Sequence, residues 1–236
     1  NGPSWVHESP FLTTGWEDIS LSGSASLKHM AMRKTLSDQR NLNAKLFEHV
    51  PWRIAEYLWG CLKESRKQTF YMWKVFATAY PHEFRKLSRH REMKIEGPKM
   101  PLGKYLGLVK SDSLSWIAVL TVSTQFAKTP ELVDIAMIQN LGALKIITPS
   151  GLSQHRGPDN PYAAGLSDRI VRAWSELADS SGAFKHLRVL YMVNQVGLSP
   201  AMLPYLNSFP SLSQVVFCGC SGIISKSKAQ LVSSGW

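Results

Sequence analysis

The chain has 236 residues, of which 44% are hydrophobic and 19% are charged. These proportions are typical of a globular protein with one large or two small domains, and they exclude wholesale disorder. No apolar run reaches the roughly 18 residues that a transmembrane helix needs. The net charge of +10 lies mainly in the first half, because residues 1–110 carry 18 lysines and arginines against 10 acidic residues.

The cysteines indicate a reducing setting. Cys61, Cys218 and Cys220 are too few and too odd in number for a disulfide framework. No asparagine has the Ser or Thr two positions later that an N-glycosylation acceptor requires. We therefore expect an intracellular protein, nuclear or cytoplasmic. The chain opens on Asn1 rather than a methionine, which predicts a fragment of a longer protein.

The N-terminal part is predicted to be an extended lead-in over residues 1–26. It contains Pro3, Pro10 and a run of serines with Gly23, all of which disfavour regular structure. A helical module is predicted next, over residues 27–96. A short helix is expected to open it at Leu27.

Two better-marked helices follow in this module. Pro51 suits the first turn of a helix, and apolar residues then recur at spacings of three and four, from Ile54 through Leu58 to Leu62. A second apolar stripe runs from Phe70 to Tyr80 and is stopped by Pro81. A third short helix is predicted from His82 to His90.

Residues 46–90 of this module resemble an F-box. The resemblance rests on Val50 and Pro51, on the apolar Ile54 and Leu58, and on Trp73 in the following helix. It implies that these helices pack against the adaptor of a ubiquitin ligase. The alternative is a helical cap on the repeats that follow.

A basic segment covers residues 85–110. The segment contains only two acidic residues, Glu92 and Glu96. Its basic residues are Arg85, Lys86, Arg89, Arg91, Lys94, Lys99, Lys104 and Lys110. Such a patch suits an acidic protein, a nucleic acid or a membrane surface, and the alternative is a solvated connector. Because prolines and glycines are frequent near its end, residues 97–111 are predicted to be a basic linker.

A repeated pattern begins after residue 112, with apolar residues at its first, fourth and sixth positions. The four copies are Ile117-x-x-Leu120-x-Val122, Leu141-x-x-Leu144-x-Ile146, Leu187-x-x-Leu190-x-Met192 and Leu212-x-x-Val215-x-Phe217, offset by 24, 46 and 25 residues. Helices are predicted between them, at Glu131–Gln139, from Ser167, and at Ala201–Asn207. The pattern predicts an α/β unit of parallel strands alternating with helices. The longest offset includes an insertion at Pro149–Pro161.

Residues 112–236 thus resemble a leucine-rich-repeat protein, whose pattern is L-x-x-L-x-L-x-x-N/C. The ninth position is occupied in turn by Gln125, Pro149, Gln195 and Cys220. The resemblance implies a short, irregular solenoid whose concave face binds a partner. The residues predicted on that face are Thr121, Lys145, Tyr191 and Val216, with Val189 and Gln214 in a neighbouring row. The alternative is a generic α/β domain with buried parallel strands.

Motifs for catalysis or cofactor binding were sought without success. The sequence has neither a phosphate-binding glycine loop nor a nucleophile elbow, and its histidines and cysteines lack zinc-like spacing. We therefore expect a non-enzymatic interaction scaffold or adaptor, without catalytic residues, cofactor, metal or membrane partner. In the F-box interpretation it is a substrate-recognition subunit of a ubiquitin ligase. The alternative is a nucleic-acid- or chromatin-associated subunit that binds through residues 85–110.

Overall fold

A computed structural model of the chain describes residues 4–6, 27–36, 41–64, 69–85, 90–95, 101–112, 114, 116–150 and 165–224. The chain divides into two units. A sheet unit comprises residues 1–8 and 90–236, and a helical unit comprises residues 9–89. The predicted module boundary at residue 96 is corrected to residue 89, because His90–Ile95 is a strand of the sheet.

The sheet has six parallel strands whose spatial order is their order in the chain. They are β1 Ser4–Val6, β2 His90–Ile95, β3 Ile117–Ser123, β4 Leu141–Ile147, β5 Val189–Val193 and β6 Gln214–Cys218. The prediction of an α/β fold with parallel strands is confirmed. In a doubly wound fold the strand order reverses at an inner strand. No such reversal occurs among these six strands.

The register of β3 to β6 follows the repeat predicted from the sequence. Leu120, Leu144 and Leu190 occupy paired positions on neighbouring strands and are each at most 1% exposed. The sixth repeat positions are paired in the same way and are Val122, Ile146, Met192 and Phe217. Successive side chains of a strand point to opposite faces, so these apolar positions share one face. Full burial of each large aliphatic side chain contributes about 1.5–3 kcal/mol, which makes this face the core of the unit.

Helices lie between the strands of the sheet unit from β2 onwards and after its last strand. They are α6 Leu102–Val109, α7 Thr129–Asp134, α8 Asp168–Ser181 and α9 Ser221–Ile224, with 3₁₀ helices at Thr124–Phe126, Ile135–Met137 and Pro200–Ser208. The α8 helix ends at Gly182, whose φ of +67° is the left-handed conformation common after a helix. The indole Nε1 of Trp174 donates to the carbonyl of Leu132, 3.0 Å away, and ties α8 to α7.

One predicted helix differs in type from the structure. The segment predicted as a helix over Ala201–Asn207 is a 3₁₀ helix, and Pro204 lies inside it. Proline has no N–H to donate, and its ring clashes with the carbonyl four residues earlier in an α-helix. Pro204 therefore disfavours an α-helix over Ala201–Asn207.

Two stretches predicted to be irregular contain regular structure. Within the predicted linker at residues 97–111, α6 buries Leu102, Tyr105, Leu106 and Val109. These residues are spaced by three and four, so they form the apolar side of a helix. Within the predicted lead-in, Ser4–Val6 is strand β1, paired with β2. The other lead-in residues, 1–3 and 7–26, lie outside the described residues.

The helical unit is built around aromatic side chains. Its helices are α1 Leu27–Leu36, α2 Ala44–Phe47, α3 Trp52–Glu64, α4 Phe70–Ala79 and α5 Pro81–Arg85. The ring of Phe84 lies 5.7 Å from that of Trp73 and 5.8 Å from that of Phe76, and all three side chains are buried. The α4 helix begins where the Thr69 hydroxyl accepts from the N–H of Met72, an N-cap. The third predicted helix, His82–His90, corresponds to α5, and its predicted last residue, His90, begins strand β2.

Candidate interaction surfaces

The predicted outward row of the sheet is assembled as expected. Thr121, Lys145, Tyr191 and Val216 occupy paired positions on β3 to β6. They alternate with the buried leucines, so they lie on the opposite face of the sheet. The structure adds Lys94 of β2, which pairs with Thr121 and which the sequence placed only in the basic patch.

Two further rows flank this one. The first contains Glu92, Val119, Ala143, Val189 and Gln214, and the second contains Ser123, Ile147, Val193 and Cys218. Most of these side chains are apolar or uncharged and half-buried, while Gln214 and Cys218 are exposed. The face formed by the three rows is therefore largely apolar over β4 to β6.

Exposure varies along the outward row. Lys145 is exposed, and Tyr191 and Val216 are half-buried. Thr121 is only 3% exposed, so its predicted role as a partner contact is corrected. Its short side chain lies in register between two longer ones, Lys94 and Lys145. The accessible part of this surface therefore runs over β4, β5 and β6.

The two lysines of the row differ in their electrostatic surroundings. Lys94 Nζ lies 3.8 Å from the carboxylate oxygen Oε1 of Glu92, which partly balances its charge. Lys145 Nζ lies 5.0 Å from the centre of the Tyr191 ring, a cation–π contact. Among the described residues, no carboxylate lies within 4.0 Å of Lys145 Nζ. The described part of the face over β4 to β6 therefore presents a positive charge beside an aromatic ring, with no described carboxylate paired to it.

The turns after the strands are held by buried polar side chains. Gln195, at the ninth repeat position, is fully buried, and its Oε1 accepts from the N–H of Leu166 at 2.9 Å. Its Nε2 donates to the carbonyl of Val193 at 2.7 Å. Gln195 thus joins the end of β5 to the segment that precedes α8.

The other copies of the repeat use different groups at the same place. Where Pro149 lacks a donor, the neighbouring Thr148 hydroxyl forms a 2.8 Å hydrogen bond with that of Thr124. In the last copy the Cys220 thiol donates to the carbonyl of Met192 at 3.5 Å. Burial raises the pKa of the Cys220 thiol, which keeps it protonated. These groups form hydrogen bonds at the ends of the strands.

A second surface lies on α3 of the helical unit. Ile54 is 47% exposed and Tyr57 is 39% exposed, while Ala55, Leu58 and Leu62 are buried. Ile54 therefore lies at the exposed margin of the apolar face predicted for this helix, whereas Leu58 lies in its buried part. Of the F-box-like residues, Pro51 and Ile54 are exposed and Val50 is half-buried, whereas Leu58 and Trp73 belong to the core.

The Val50–Pro51 turn is anchored by a tyrosine. The Tyr80 hydroxyl donates towards the carbonyls of Phe47, at 2.9 Å, and of Val50. The Trp52 ring lies 5.2 Å from the Tyr80 ring. Burial, followed by the negative charge of Glu83, raises the pKa of Tyr80. The start of α3 is thus fixed to the C-terminal end of α4.

The basic patch is divided between the two units. Arg85 ends α5 of the helical unit. Arg91 and Lys94 on β2, Lys104 on α6 and Lys110 at the C-terminal end of α6 all belong to the sheet unit. The remaining predicted patch residues, Lys86, Arg89 and Lys99, lie outside the described residues. Neither unit by itself brings the predicted set together.

Metal and membrane features were sought in the part of the chain that the structure describes. No group of three or more His, Cys, Asp or Glu side chains there is placed to hold a metal ion. None of its helices combines the length and hydropathy of a membrane span. No family model, curated protein or solved structure matches the chain.

Proposed function

We propose that the chain is a non-enzymatic protein–protein interaction scaffold or adaptor with a docking surface on each unit. The observation that carries this proposal is the largely apolar, register-matched face over β4 to β6, where Tyr191 and Val216 lie beside the exposed Lys145. Contiguous apolar surface of this kind is characteristic of interaction sites. Tyrosine is also enriched among the residues that dominate binding energy at interfaces.

The sheet unit is proposed to be a short, irregular leucine-rich-repeat solenoid. Three features support this assignment: strand order follows chain order, two of the repeat offsets are 24 and 25 residues, and the ninth positions Gln195 and Cys220 bond turn or strand backbone. In solenoids each repeat contacts only its neighbours, and the extended face is used for binding. The role of the outward face follows from this assignment.

The helical unit is proposed to dock on the adaptor of a ubiquitin ligase, as an F-box does. Its support is the exposed apolar side of α3, where Ile54 and Tyr57 follow the anchored Val50–Pro51 turn. The sheet unit would then present a substrate to the ligase. This role belongs inside the cell, in the nucleus or cytoplasm.

Direct binding to a purified ligase adaptor tests this assignment. The full chain is expected to bind at micromolar concentration or tighter in a calorimetric titration. Ile54→Asp is expected to weaken binding at least about tenfold, since a charge on an apolar contact must be desolvated. Glu56→Ala, an exposed change on the same helix, is the control. Absence of binding at micromolar concentration would end the F-box assignment and leave the scaffold role to the sheet.

A further inference from the structure

The charge on the open part of the sheet face restricts what can cover it. The described outward residues of β4 to β6 are Ala143, Lys145, Ile147, Val189, Tyr191, Val193, Gln214, Val216 and Cys218. This set contains one cation and no carboxylate. The cation sits at the β4 end of this row, with Ala143 and Ile147 on either side of it along β4.

A purely apolar partner would bury the Lys145 ammonium without compensation. Removing an ammonium group from water costs several kcal/mol unless a counter-charge accompanies it. The Tyr191 ring supplies only its quadrupole, and the ammonium has three N–H donors to satisfy. A partner that covers the apolar rows must therefore bring an anionic group to Lys145.

Geometry defines where the rest of the partner lies. Lys145 and Val216 are on β4 and β6, two strand spacings apart, and each spacing is about 4.8 Å. The resulting separation of about 10 Å is covered by one turn of extended polyproline II chain, which has three residues per turn at about 3.1 Å each, so its first and fourth side chains share one face. A chain crossing the strands would thus place one side chain at Lys145 and another, three positions along, at Val216.

We propose that this face binds an extended segment of a partner protein, with an Asp or Glu carboxylate on Lys145 and an apolar side chain three positions away on Val216. The inference rests on the proposed scaffold function and specifies the partner of its sheet surface. The Lys145 ammonium lies over the Tyr191 ring, so we infer that the acidic residue binds beside that ring.

A protein carboxylate fits this surface better than a nucleic acid does. A nucleic-acid backbone presents a charge at every phosphate and is bound by several cations in a row. Here one exposed lysine is surrounded by aliphatic and aromatic side chains, among them Ile147 and Val189. A single carboxylate on an otherwise apolar segment matches that pattern of charge.

Selection of peptides on the intact chain tests the inference. The probe is a displayed library of random nine-residue peptides, selected on the immobilised wild-type chain and on two charge-reversal variants. The wild type is expected to enrich an acidic residue followed, three positions later, by an aliphatic or aromatic residue. Lys145→Glu is expected to replace the acidic preference with a basic one and to weaken the wild-type peptides at least about tenfold.

Lys185→Glu provides the matched control, because Lys185 is an exposed lysine of the same unit outside this face. It is expected to leave the selected peptides and their affinities unchanged. The inference is overturned if no peptide is enriched, if the enriched peptides lack the acidic residue, or if both reversals act equally.

The same variants separate this inference from the proposed function. If a bound protein partner is lost on Val216→Asp but retained on Lys145→Glu, the sheet surface stands and the acidic segment is excluded. If peptides depend on Lys145 while the ligase adaptor fails to bind, the acidic segment stands and the F-box role is excluded.

Discussion

Gln195 joins three parts of the sheet unit through one buried amide. It accepts from the N–H of Leu166 and from the Thr148 hydroxyl, and it donates to the carbonyl of Val193. The sequence identified this residue because it occupies the ninth position of the repeat. The equivalent Gln125 occupies the same position in an earlier copy but is exposed. The position in the repeat therefore does not by itself determine whether a residue is buried. Gln195 is buried where the backbone of Leu166 bonds to it.

Replacing Gln195 is expected to destabilise the sheet unit. Gln195→Ala should lower the free energy of unfolding by about 3 kcal/mol, because buried donors and acceptors lose their partners at about 1–3 kcal/mol each. Gln125→Ala should change it by less than about 0.5 kcal/mol, as exposed substitutions usually do. Urea denaturation measures both values, and equal effects would contradict the role given to Gln195.

The two cysteines near the end of β6 are expected to differ in reactivity. Cys218 is exposed, whereas Cys220 is buried and burial raises the pKa of its thiol above the ordinary value of 9.0. In the folded chain, Cys218 should therefore alkylate quickly and Cys220 only after unfolding. Site-resolved mass spectrometry after a pulse of iodoacetamide checks this order. Rapid labelling of Cys220 under native conditions would contradict its burial.

The same raised pKa has a consequence for stability. The unfolded thiol ionises at lower pH than the folded one, so the contribution of Cys220 is fully present below pH 9.0 and is lost as the pH rises through the folded value. Denaturation between pH 8 and 10.5, compared with Cys220→Ala, measures this contribution. If the free energy of unfolding of the wild type rose with pH relative to that of Cys220→Ala, the raised pKa of the folded thiol would be contradicted.

Among the elements, β3 to β6 were predictable and β1, β2 and α6 were not. The four strands carry apolar residues at repeated positions, and their pairing follows that repeat. In β2 the inward residues Met93 and Ile95 alternate with charged ones, a period-2 signal concealed by the basic run. In α6 the helical spacing was interrupted by glycines, which indicated a linker. A three-residue strand such as β1 is too short for any periodicity.

Helix α3 separates core from surface within a few residues. Leu58→Asp is expected to lower the stability of the helical unit by more than about 3 kcal/mol, because an unpaired carboxylate would enter the aromatic core. Ile54→Asp is expected to cost less than about 1 kcal/mol, since the residue is half in solvent. Thermal unfolding followed by circular dichroism distinguishes the two. Equal destabilisation would mean that Ile54 is structural rather than a docking residue.

At the scale of the whole molecule, the rows of the candidate site were predictable but their accessibility was not. The repeat placed Tyr191 between Lys145 and Val216, as the strand register does. The burial of Thr121 depends on the longer side chains on its neighbouring strands, one of which belongs to the unpredicted strand β2. The residues that precede and follow Thr121 in the sequence do not indicate that Thr121 pairs with β2.

The nucleic-acid alternative makes a contrasting prediction for the intact chain. It requires affinity for DNA or RNA that falls steeply with salt and is lost when Lys94, Lys99 and Lys104 are reversed to glutamate. We expect no such dependence, because Lys94 lies beside Glu92 and Arg85 belongs to the other unit. Fluorescence anisotropy with labelled oligonucleotides at several salt concentrations tests this expectation.

Comparative affinity purification tests whether one chain carries two separate protein-binding surfaces. Wild-type chain, Ile54→Asp and Tyr191→Ala are purified in parallel from cells, and the bound proteins are quantified. Ile54→Asp should lose a ligase adaptor and retain the proteins bound to the sheet, while Tyr191→Ala should do the reverse. Loss of the same proteins in both variants, or no loss in either, would contradict the claim.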